Sequence, residues 1–109
     1  MAYEVFKSEK TGKYHFRLKA KNGEIILASE AYEQKAGAMK GIESVAKNAA
    51  DDTKFERRQN KNGEDYFVLK AGNGEVIGKS ETYKSTAGME NGIQSVMNNA
   101  GGEVKDMTV

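Results

Sequence analysis

Residues 18–24 read LKAKNGE and residues 69–75 read LKAGNGE, so the chain of 109 residues contains nearly the same seven-residue phrase twice, 51 positions apart. Pairing residue n with residue n+51 over residues 12–49 gives 20 identities in 38 pairs. Unrelated sequences of ordinary composition would share roughly 2. Before Gly12 the offset becomes 52, which aligns Tyr3-Glu4 with Phe55-Glu56. The chain is therefore an internal duplication, with repeat 1 at residues 1–51 and repeat 2 at residues 52–109.

Neither repeat is large enough to fold by itself. A unit of about 50 residues buries too little surface for a self-sufficient core unless disulfides or a metal support it. The chain has no cysteine, which excludes disulfides, cysteine-based zinc sites and thiol catalysis. We therefore expect residues 1–109 to form a single domain in which the repeats complete one core, a monomer with the character of an internal dimer.

The residues around the shared phrase alternate as in a strand with one apolar face. Phe16, Leu18 and Ala20 are separated by polar residues, and Asn22-Gly23 then supplies the positive-φ positions of a tight hairpin turn. Repeat 2 has the same pattern, with Phe67, Leu69, Ala71 and Asn73-Gly74. The remaining predicted strands are Tyr3–Ser8 and Lys54–Gln59 before these hairpins, and Glu24–Ala28 and Glu75–Lys79 within them.

The period changes to that of a helix after Tyr32 and Tyr83. Ser85 is a good N-cap for the second helix, whereas Gln34 at the matching place is a poor one. Glu103–Thr108 is a candidate for a short last strand. The predicted fold is α+β, with two tandem β-β-β-α(-β) repeats that form one pseudo-twofold sheet and two helices packed on one of its faces.

Each predicted helix contains two glycines four residues apart, Gly37 and Gly41 in the first and Gly88 and Gly92 in the second. An interior glycine costs roughly 1 kcal/mol relative to alanine, so a compensating contact is expected. One interpretation is close approach of the helix backbone to the sheet or to the other helix. The alternative is an anion bound at the helix N–H groups. No phosphate-loop lysine pattern accompanies the glycines, which favours packing.

Each repeat carries one long composite motif. In repeat 1 it reads FRLKAKNGEIILASEAY followed by KAGAMKGIESV, and in repeat 2 FVLKAGNGEVIGKSETY followed by TAGMENGIQSV. The motif closely resembles the YegP-like proteins, small bacterial proteins of unknown function built from this unit, often in tandem. The resemblance implies that C-terminal strands are exchanged between units, which would place Glu103–Met107 beside the first repeat, and it implies no catalytic residue. Arg57-Arg58 stands where the first repeat has Val5-Phe6, and this pair departs from an apolar first strand.

Seventeen Lys and Arg against sixteen Asp and Glu give a net charge of +1, which argues against a dedicated binder of duplex nucleic acid. The sheet face opposite the apolar residues collects basic and aromatic side chains, a combination with which some sheets bind single-stranded nucleic acid. The alternative is an ordinary solvated face. The leading hypothesis is a non-catalytic module that binds a protein, peptide or nucleic acid through this candidate face, formed by His15, Arg17, Lys19, Tyr66 and Lys70.

An enzymatic alternative rests on a Ser-Glu-x-Tyr sequence that recurs in the turn before each helix. A hydroxyl, a carboxylate and a phenol are suited to acid–base chemistry, although the serine and glutamate are also typical of a turn above a core tyrosine. The residues are Ser29, Glu30, Tyr32, Ser80, Glu81 and Tyr83. His15 is the sole histidine, so neither a metal site nor a cofactor is predicted. The sequence shows no signal peptide and no apolar run long enough for a membrane span, so we expect a cytoplasmic location.

Overall fold

The alternating residues on either side of each Asn-Gly pair form an antiparallel hairpin, as the sequence predicts. The backbone φ of both Gly23 and Gly74 is +87°, a left-handed value that glycine adopts without steric cost. Asn22 and Asn73 do not have a positive φ, so the predicted pair of positive-φ positions is wrong. The turn closes one residue earlier, with the Gly23 N–H donating to the Ala20 carbonyl at 2.9 Å, and only the glycine is left-handed. The core-facing rings of Phe16 and Phe67 are completely buried. The two copies of the shared phrase are therefore two copies of one hairpin.

The computed structural model describes residues 3–108, which form one mixed sheet of seven strands, two α-helices and a short 3₁₀ turn. The strands are β1 (Tyr3–Lys7), β2 (Tyr14–Lys19), β3 (Ile25–Ser29), β4 (Phe55–Gln59), β5 (Asp65–Lys70), β6 (Val76–Lys79) and β7 (Val104–Asp106). The helices are α1 (Lys35–Asn48) and α2 (Thr86–Asn99), and the 3₁₀ turn covers Asp52–Lys54. The strand order is β4-β5-β6-β3-β2-β1-β7. These elements confirm the α+β prediction.

The two repeats meet where β3 pairs with β6, through the antiparallel pairs Ala28–Lys79 and Ser29–Gly78. Ala28 and Lys79 are equivalent positions of the two repeats, 51 residues apart. An antiparallel pair of equivalent positions places an approximate twofold axis between its members, perpendicular to the sheet. Both helices therefore cover the same face, and each helix contacts strands of both repeats.

One continuous hydrophobic core lies between the helices and the sheet, and both repeats contribute to it. Its largest completely buried side chains are Tyr3, Phe16, Leu18, Leu27, Phe67, Leu69 and Ile93. Ser85 caps α2, with its Oγ accepting a hydrogen bond of 3.0 Å from the Gly88 N–H, while the Gln34 side chain makes no capping bond to α1. The expected difference between the two caps is confirmed.

The helix glycines allow close approach to aromatic side chains of the sheet. A Cβ placed on Gly41 would lie 2.5 Å from Tyr32 Oη and 2.7 Å from Phe16 Cε2. A Cβ on Gly92 would lie 2.7 Å from Tyr83 Cζ. Real side chains do not approach so closely, so the space that these glycines leave is filled by the tyrosines, and the packing interpretation is confirmed.

The outer side of β1 is covered by β7, which runs parallel to it. The Tyr3 N–H donates to the Glu103 carbonyl at 2.9 Å, and the Met107 N–H donates to the Val5 carbonyl at 2.8 Å. Lys35 at the start of α1 forms an ion pair with Asp106. The last strand is thus held by backbone hydrogen bonds on one side and by a helix on the other.

The equivalent strand β4 is covered differently. Among residues 3–108 its only partner strand is β5. The Phe55 N–H donates to the Asp52 carbonyl of the 3₁₀ turn, and Arg57 forms ion pairs with Glu90 of α2 at 2.8 Å and with Asp52 at 2.9 Å. Arg57 stands where the first repeat has the completely buried Val5. The departure from an apolar strand noted in the sequence is therefore an ion cluster at an uncovered edge.

Candidate binding face

The sheet face that carries no helix is called the open face below. One row of paired residues crosses it through all seven strands, as the registers of the strand pairs show. The row is Glu56, Val68, Lys79, Ala28, Arg17, Glu4 and Lys105. Val68 is only 2% exposed, so the long side chains around it cover the apolar centre of this face.

The open face concentrates the positive charge of the molecule. The strand residues that point to this face include six cations and two carboxylates, a net charge of +4. The rest of the chain then holds eleven Lys or Arg and fourteen Asp or Glu out of the totals of seventeen and sixteen, a net charge of −3. The cations are Arg17, Lys19, Arg58, Lys70, Lys79 and Lys105, and the carboxylates are Glu4 and Glu56. A nearly neutral chain thus has one distinctly basic surface.

In repeat 1, Glu4 lies between two cations of the neighbouring strand. Arg17 Nε donates to Glu4 Oε1 at 2.7 Å, and Lys19 Nζ lies 3.3 Å from the same oxygen. The hydrogen bond from Arg17, supported by that from Lys19, lowers the pKa of Glu4 below its ordinary value, although partial burial opposes the shift. One carboxylate therefore neutralises only one of the two cations.

Repeat 2 builds the same arrangement around Glu56. Lys70 Nζ lies 2.5 Å from Glu56 Oε1, and Arg58 pairs with Oε2 of the same carboxylate. The hydrogen bond from Lys70, followed by that from Arg58, lowers the pKa of Glu56. Glu4 and Glu56 are equivalent positions, so each half of the open face has one carboxylate held by two cations.

The aromatic rings of the open face are stacked against neighbouring side chains. His15 stacks on Phe6 with ring centroids 5.4 Å apart, and the Arg17 guanidinium lies 4.7 Å from the Phe6 centroid. The ammonium group of Lys79 lies 4.9 Å from the centre of the Tyr66 ring. Each of the three rings is therefore in contact with a neighbouring side chain, and two of the three contacts are cation–π contacts.

The five predicted residues of the candidate face lie in two separate groups. His15, Arg17 and Lys19 are on β2, whereas Tyr66 and Lys70 are on β5, three strand spacings or roughly 14 Å away. Because β2 and β5 run in opposite directions, the equivalent residues His15 and Tyr66 lie toward opposite ends of the sheet. The twofold axis separates them, so they do not form one aromatic platform.

Sequence analysis missed five charged residues of the open face: Glu4, Glu56, Arg58, Lys79 and Lys105. Their alternation within each strand was visible in the sequence. The signal that was lacking is the register between strands, which decides that Glu4 faces Arg17 and Lys105. The symmetric pairing of equivalent positions, Ala28 with Lys79, constrains only the register of β3 against β6.

The Ser-Glu-x-Tyr residues lie at the ends of β3 and β6 and tie the backbone together. Ser29 Oγ accepts from the Phe16 N–H at 2.9 Å and donates to the Glu30 carbonyl at 2.7 Å. Ser80 makes the equivalent bonds, to the Phe67 N–H and the Glu81 carbonyl, at the same distances. Both serine hydroxyls are engaged with backbone, and this arrangement brings no base to them.

The tyrosines of these turns fill space beside the helices. Tyr32 and Tyr83 stack on Phe16 and Phe67, with ring centroids 6.2 Å apart in both pairs. Burial, followed by the charges of nearby carboxylates, raises the pKa of both phenols. Within the described part of the chain, no three His, Asp or Glu side chains cluster as metal ligands would. No helix of residues 3–108 has the length and apolar character of a membrane span.

Comparison with known families gives two matches along this chain. A domain of unknown function, DUF1508, matches residues 9–56 and again residues 60–106. A UPF0339 protein of Mannheimia succiniciproducens is 53% identical over 107 residues, which are 97% of this chain and 94% of that protein. UPF0339 protein YegP of Yersinia pestis is 52% identical over 108 residues, 98% of this chain and 96% of that protein.

Two solved structures have the same fold. The solution structure of a UPF0339 protein of Shewanella oneidensis superimposes with a TM-score of 0.92 at 47% identity, covering 98% of this chain and 91% of that one. The solution structure of yegP from E. coli, a protein of unknown function, gives a TM-score of 0.92 at 43% identity, with coverage of 99% and 95%.

Proposed function

The chain belongs to the DUF1508 family, whose function is unknown, and we propose that it is a non-catalytic binding module that docks an acidic partner on the open face. The observation that carries the proposal is the segregation of charge. A net charge of +4 on one sheet face attracts an acidic surface and fixes its orientation, even though the whole chain carries only +1.

The state of the aromatic rings favours an acidic protein or peptide over single-stranded nucleic acid. Base stacking requires rings that are free to receive a base. His15 already stacks on Phe6, and Tyr66 holds the ammonium group of Lys79. The open face also carries half-exposed cations, which can donate more hydrogen bonds than the carboxylates of Glu4 and Glu56 accept. The remaining donors can bind the carboxylate side chains of a partner.

The test is a binding titration with two fluorescent probes of equal charge, a glutamate-rich peptide and a single-stranded mixed-sequence oligonucleotide. In the variant Lys19→Ser/Lys70→Ser/Lys79→Ser, we expect the affinity for the peptide to fall roughly tenfold, because three exposed pairs of about 0.5 kcal/mol each are lost. The matched control is Lys40→Ser/Lys47→Ser/Lys84→Ser, which removes the same charge outside the open face and should bind as the parent does.

Equal losses in the two triple variants would show that attraction depends on overall charge alone, and the proposal would then be wrong. Tighter binding of the oligonucleotide, together with a loss of affinity in Tyr66→Ala, would reassign the open face to nucleic acid. Melting curves of each variant establish that its fold is intact.

The acid–base alternative has less support. Its serine hydroxyls are both donor and acceptor to backbone groups, and a nucleophile needs a base within hydrogen-bond reach. The expectations of a cytoplasmic location and of a monomer stay predictions from the sequence. We further propose that β7 is an exchanged strand, which belongs to repeat 2 but completes the sheet of repeat 1; its pairing with β1 supports this.

A further inference from the structure

Two clefts lie beside the helices at the junction of the repeats. Each is bounded by the helix of one repeat and by the Asn-Gly hairpin of the other. The Tyr32 cleft has a volume of about 290 Å³ and the Tyr83 cleft about 350 Å³, near the lower end of the range of ligand sites. Neither cleft exists in one repeat alone, and none of the six open-face cations is among the lining residues of either cleft.

Identity between the repeats is concentrated in these clefts. Ten positions line the Tyr32 cleft, and the equivalents of all ten line the Tyr83 cleft. Eight of the ten are identical, against 20 of 38 over the aligned repeats. The identical pairs are Ala20/Ala71, Asn22/Asn73, Glu24/Glu75, Ile26/Ile77, Tyr32/Tyr83, Gly37/Gly88, Gly41/Gly92 and Ser44/Ser95. The two copies have thus diverged less here than elsewhere.

The phenol at the floor of each cleft is available to a ligand. The Tyr3 hydroxyl donates to the Ala100 carbonyl at 2.7 Å, whereas the hydroxyls of Tyr32 and Tyr83 form no hydrogen bond to any of residues 3–108. Both tyrosines are half-buried, and no completely buried side-chain polar atom of the described residues lacks a partner. The two hydroxyls therefore reach the cleft, where each can donate and accept one bond.

A carboxylate is held in a fixed position at the rim of each cleft. Asn22 Nδ2 donates to Glu24 Oε1 at 2.6 Å, and the Glu24 N–H donates to Asn22 Oδ1 at 3.0 Å. Asn73 holds Glu75 in the same way, at 2.7 Å and 3.0 Å. The second carboxylate oxygen makes no hydrogen bond to the described residues in either case and is free to accept one from a ligand.

The two clefts differ mainly in charge. The Tyr32 cleft contains Lys40, and the equivalent residue of the Tyr83 cleft is Asn91. The Tyr83 cleft also includes the carboxylate of Glu81, and no Lys or Arg is among its lining residues; Lys21 lines the adjoining groove. Burial, followed by the charges of Glu24 and Glu81, raises the pKa of Tyr83. Burial and the equivalent carboxylates, Glu30 and Glu75, raise the pKa of Tyr32 as well, so the residue that distinguishes the two clefts is Lys40.

We propose that the Tyr83 cleft binds the ammonium group of a small primary amine. Glu24 and Glu81 balance its charge, and Tyr83 Oη accepts one of its hydrogen bonds. A short alkyl chain attached to the ammonium group packs along Ile25 and Ile26 of the hairpin. The ammonium group belongs either to a free amine or to a lysine side chain of a peptide, which present the same chemistry. This site is independent of the open face, because its ligand has the opposite charge.

The test is a titration of the full-length ¹⁵N-labelled protein with n-butylammonium, followed by amide chemical shifts, with 1-butanol as the neutral probe of similar shape. We expect saturable shifts, in the millimolar range, confined to the residues around Tyr83, Glu24 and Asn91. Butanol should produce none of them. Shifts that are the same for both probes, or shifts spread over every acidic residue without saturation, would overturn the proposal.

Exchanging the residue that distinguishes the clefts supplies the matched control. Asn91→Lys should weaken binding roughly fivefold, the factor that a like charge about 4 Å away exerts in water. Lys40→Asn should create a second set of saturable shifts around Tyr32. Tyr83→Phe tests the phenol oxygen and should weaken binding without unfolding the domain. Unchanged affinity in both Asn91→Lys and Tyr83→Phe would place the amine elsewhere.

A second probe identifies the source of the ammonium group. Nα-acetyl-lysine methylamide carries the same butylammonium group on a peptide backbone. Tighter binding of this compound than of n-butylammonium would indicate a peptide ligand, and tighter binding of n-butylammonium would indicate a free amine. Saturable binding of neither would contradict the proposal, while the peptide-probe experiment on the open face would remain unaffected.

Discussion

The outer strands β1 and β4 are equivalent in the two repeats, yet their free edges are covered by different means. At β1 another strand, β7, supplies the missing backbone partners. At β4 the 3₁₀ turn takes up the Phe55 N–H, and the charged side chain of Arg57 covers the edge together with Asp52 and Glu90. Charged residues at an exposed edge are a common protection against strand addition. Two units of related sequence therefore protect their outer strands by two different means.

Chain connectivity explains the difference. Between the end of α1 and the start of β4 there are only six residues, 49–54, and they lead directly into β4. The segment that leads into β4 cannot at the same time pair with β4 as a further strand. After α2 no further strand has to be reached, so residues 104–106 are able to pair with β1. The duplicated sequence is thus symmetric in its core and asymmetric at its edges.

The largest effect is expected from uncovering the β1 edge. Removal of residues 103–109 eliminates several backbone hydrogen bonds of about 1 kcal/mol each, so the free energy of unfolding should fall by about 2–4 kcal/mol. Urea denaturation measures this loss, and size-exclusion chromatography should show self-association through the exposed edge. Removing Thr108 and Val109 alone is the control. An unchanged urea midpoint in the longer truncation would mean that β7 does not support the sheet.

The next largest effect tests whether the helix glycines of the two repeats are packed equally closely, although the outer strands of the repeats differ. Gly41→Ala and Gly92→Ala place a Cβ against a buried tyrosine, and each should destabilise by about 1–3 kcal/mol through overpacking, despite better helix propensity. Gly101→Ala is the control, since its Cβ would meet nothing within 4 Å. Thermal denaturation of the three variants decides the matter; a glycine variant more stable than the parent would contradict close packing in that repeat.

A smaller effect on stability, but a change of assembly, is expected when the β4 edge loses its charge. Arg57→Val restores the residue type of repeat 1 and should change the free energy of unfolding by less than about 1 kcal/mol, because the lost ion pairs are exposed. Light scattering at high concentration should then show dimers formed by edge pairing. Arg58→Val, which removes the same charge from the open face, should stay monomeric. Equal behaviour of the two variants would refute a protective role for Arg57.

The smallest effect is a local loosening of β7 at low pH. The ion pair with Lys35, with additional bonds from Thr108, lowers the pKa of Asp106 to about 2, below the ordinary 3.8. A depressed carboxyl pKa contributes stability above the unfolded value, and this contribution is lost as the pH falls from about 4 to about 2. The protection factor of the Met107 amide, which is the intrinsic exchange rate at each pH divided by the observed rate, should decrease over that range. In Lys35→Met the decrease should begin at higher pH, and identical protection profiles would exclude this anchor.

Features that depend on neighbouring residues could be predicted from the sequence. The hairpins, the helices, the Ser85 cap and the glycine packing follow from patterns spanning a few residues each. The assignment of charges to one open face also follows from alternation within a strand. The pairing between strands could not be predicted in this way, because the register of β1 against β2 and of β3 against β6 is set by the whole sheet. Glu4 and Glu56 were therefore overlooked, and the separation of His15 from Tyr66 across the twofold axis was not predicted.

The clefts were invisible in the sequence for a different reason. Tyr83 and Glu24 belong to different repeats and are separated by 59 positions. Only the packing of a helix from one repeat against a hairpin from the other brings them to one site. The sequence assigns each residue to its own repeat, with Tyr83 in the turn before a helix and Glu24 directly after a hairpin turn. Both local descriptions hold, but the site arises from their combination.

The parallel pairing of β1 and β7 has a mechanical consequence. Tyr3 begins β1 and Asp106 ends β7, so a force that pulls on the two ends of the described chain draws these strands past each other along their length. The hydrogen bonds from Tyr3 to Glu103 and from Met107 to Val5 are then loaded together rather than broken one after another. A pulling force applied at these two ends therefore loads the β1–β7 pair in shear. The shortest strand, β7, then resists the separation of the sheet.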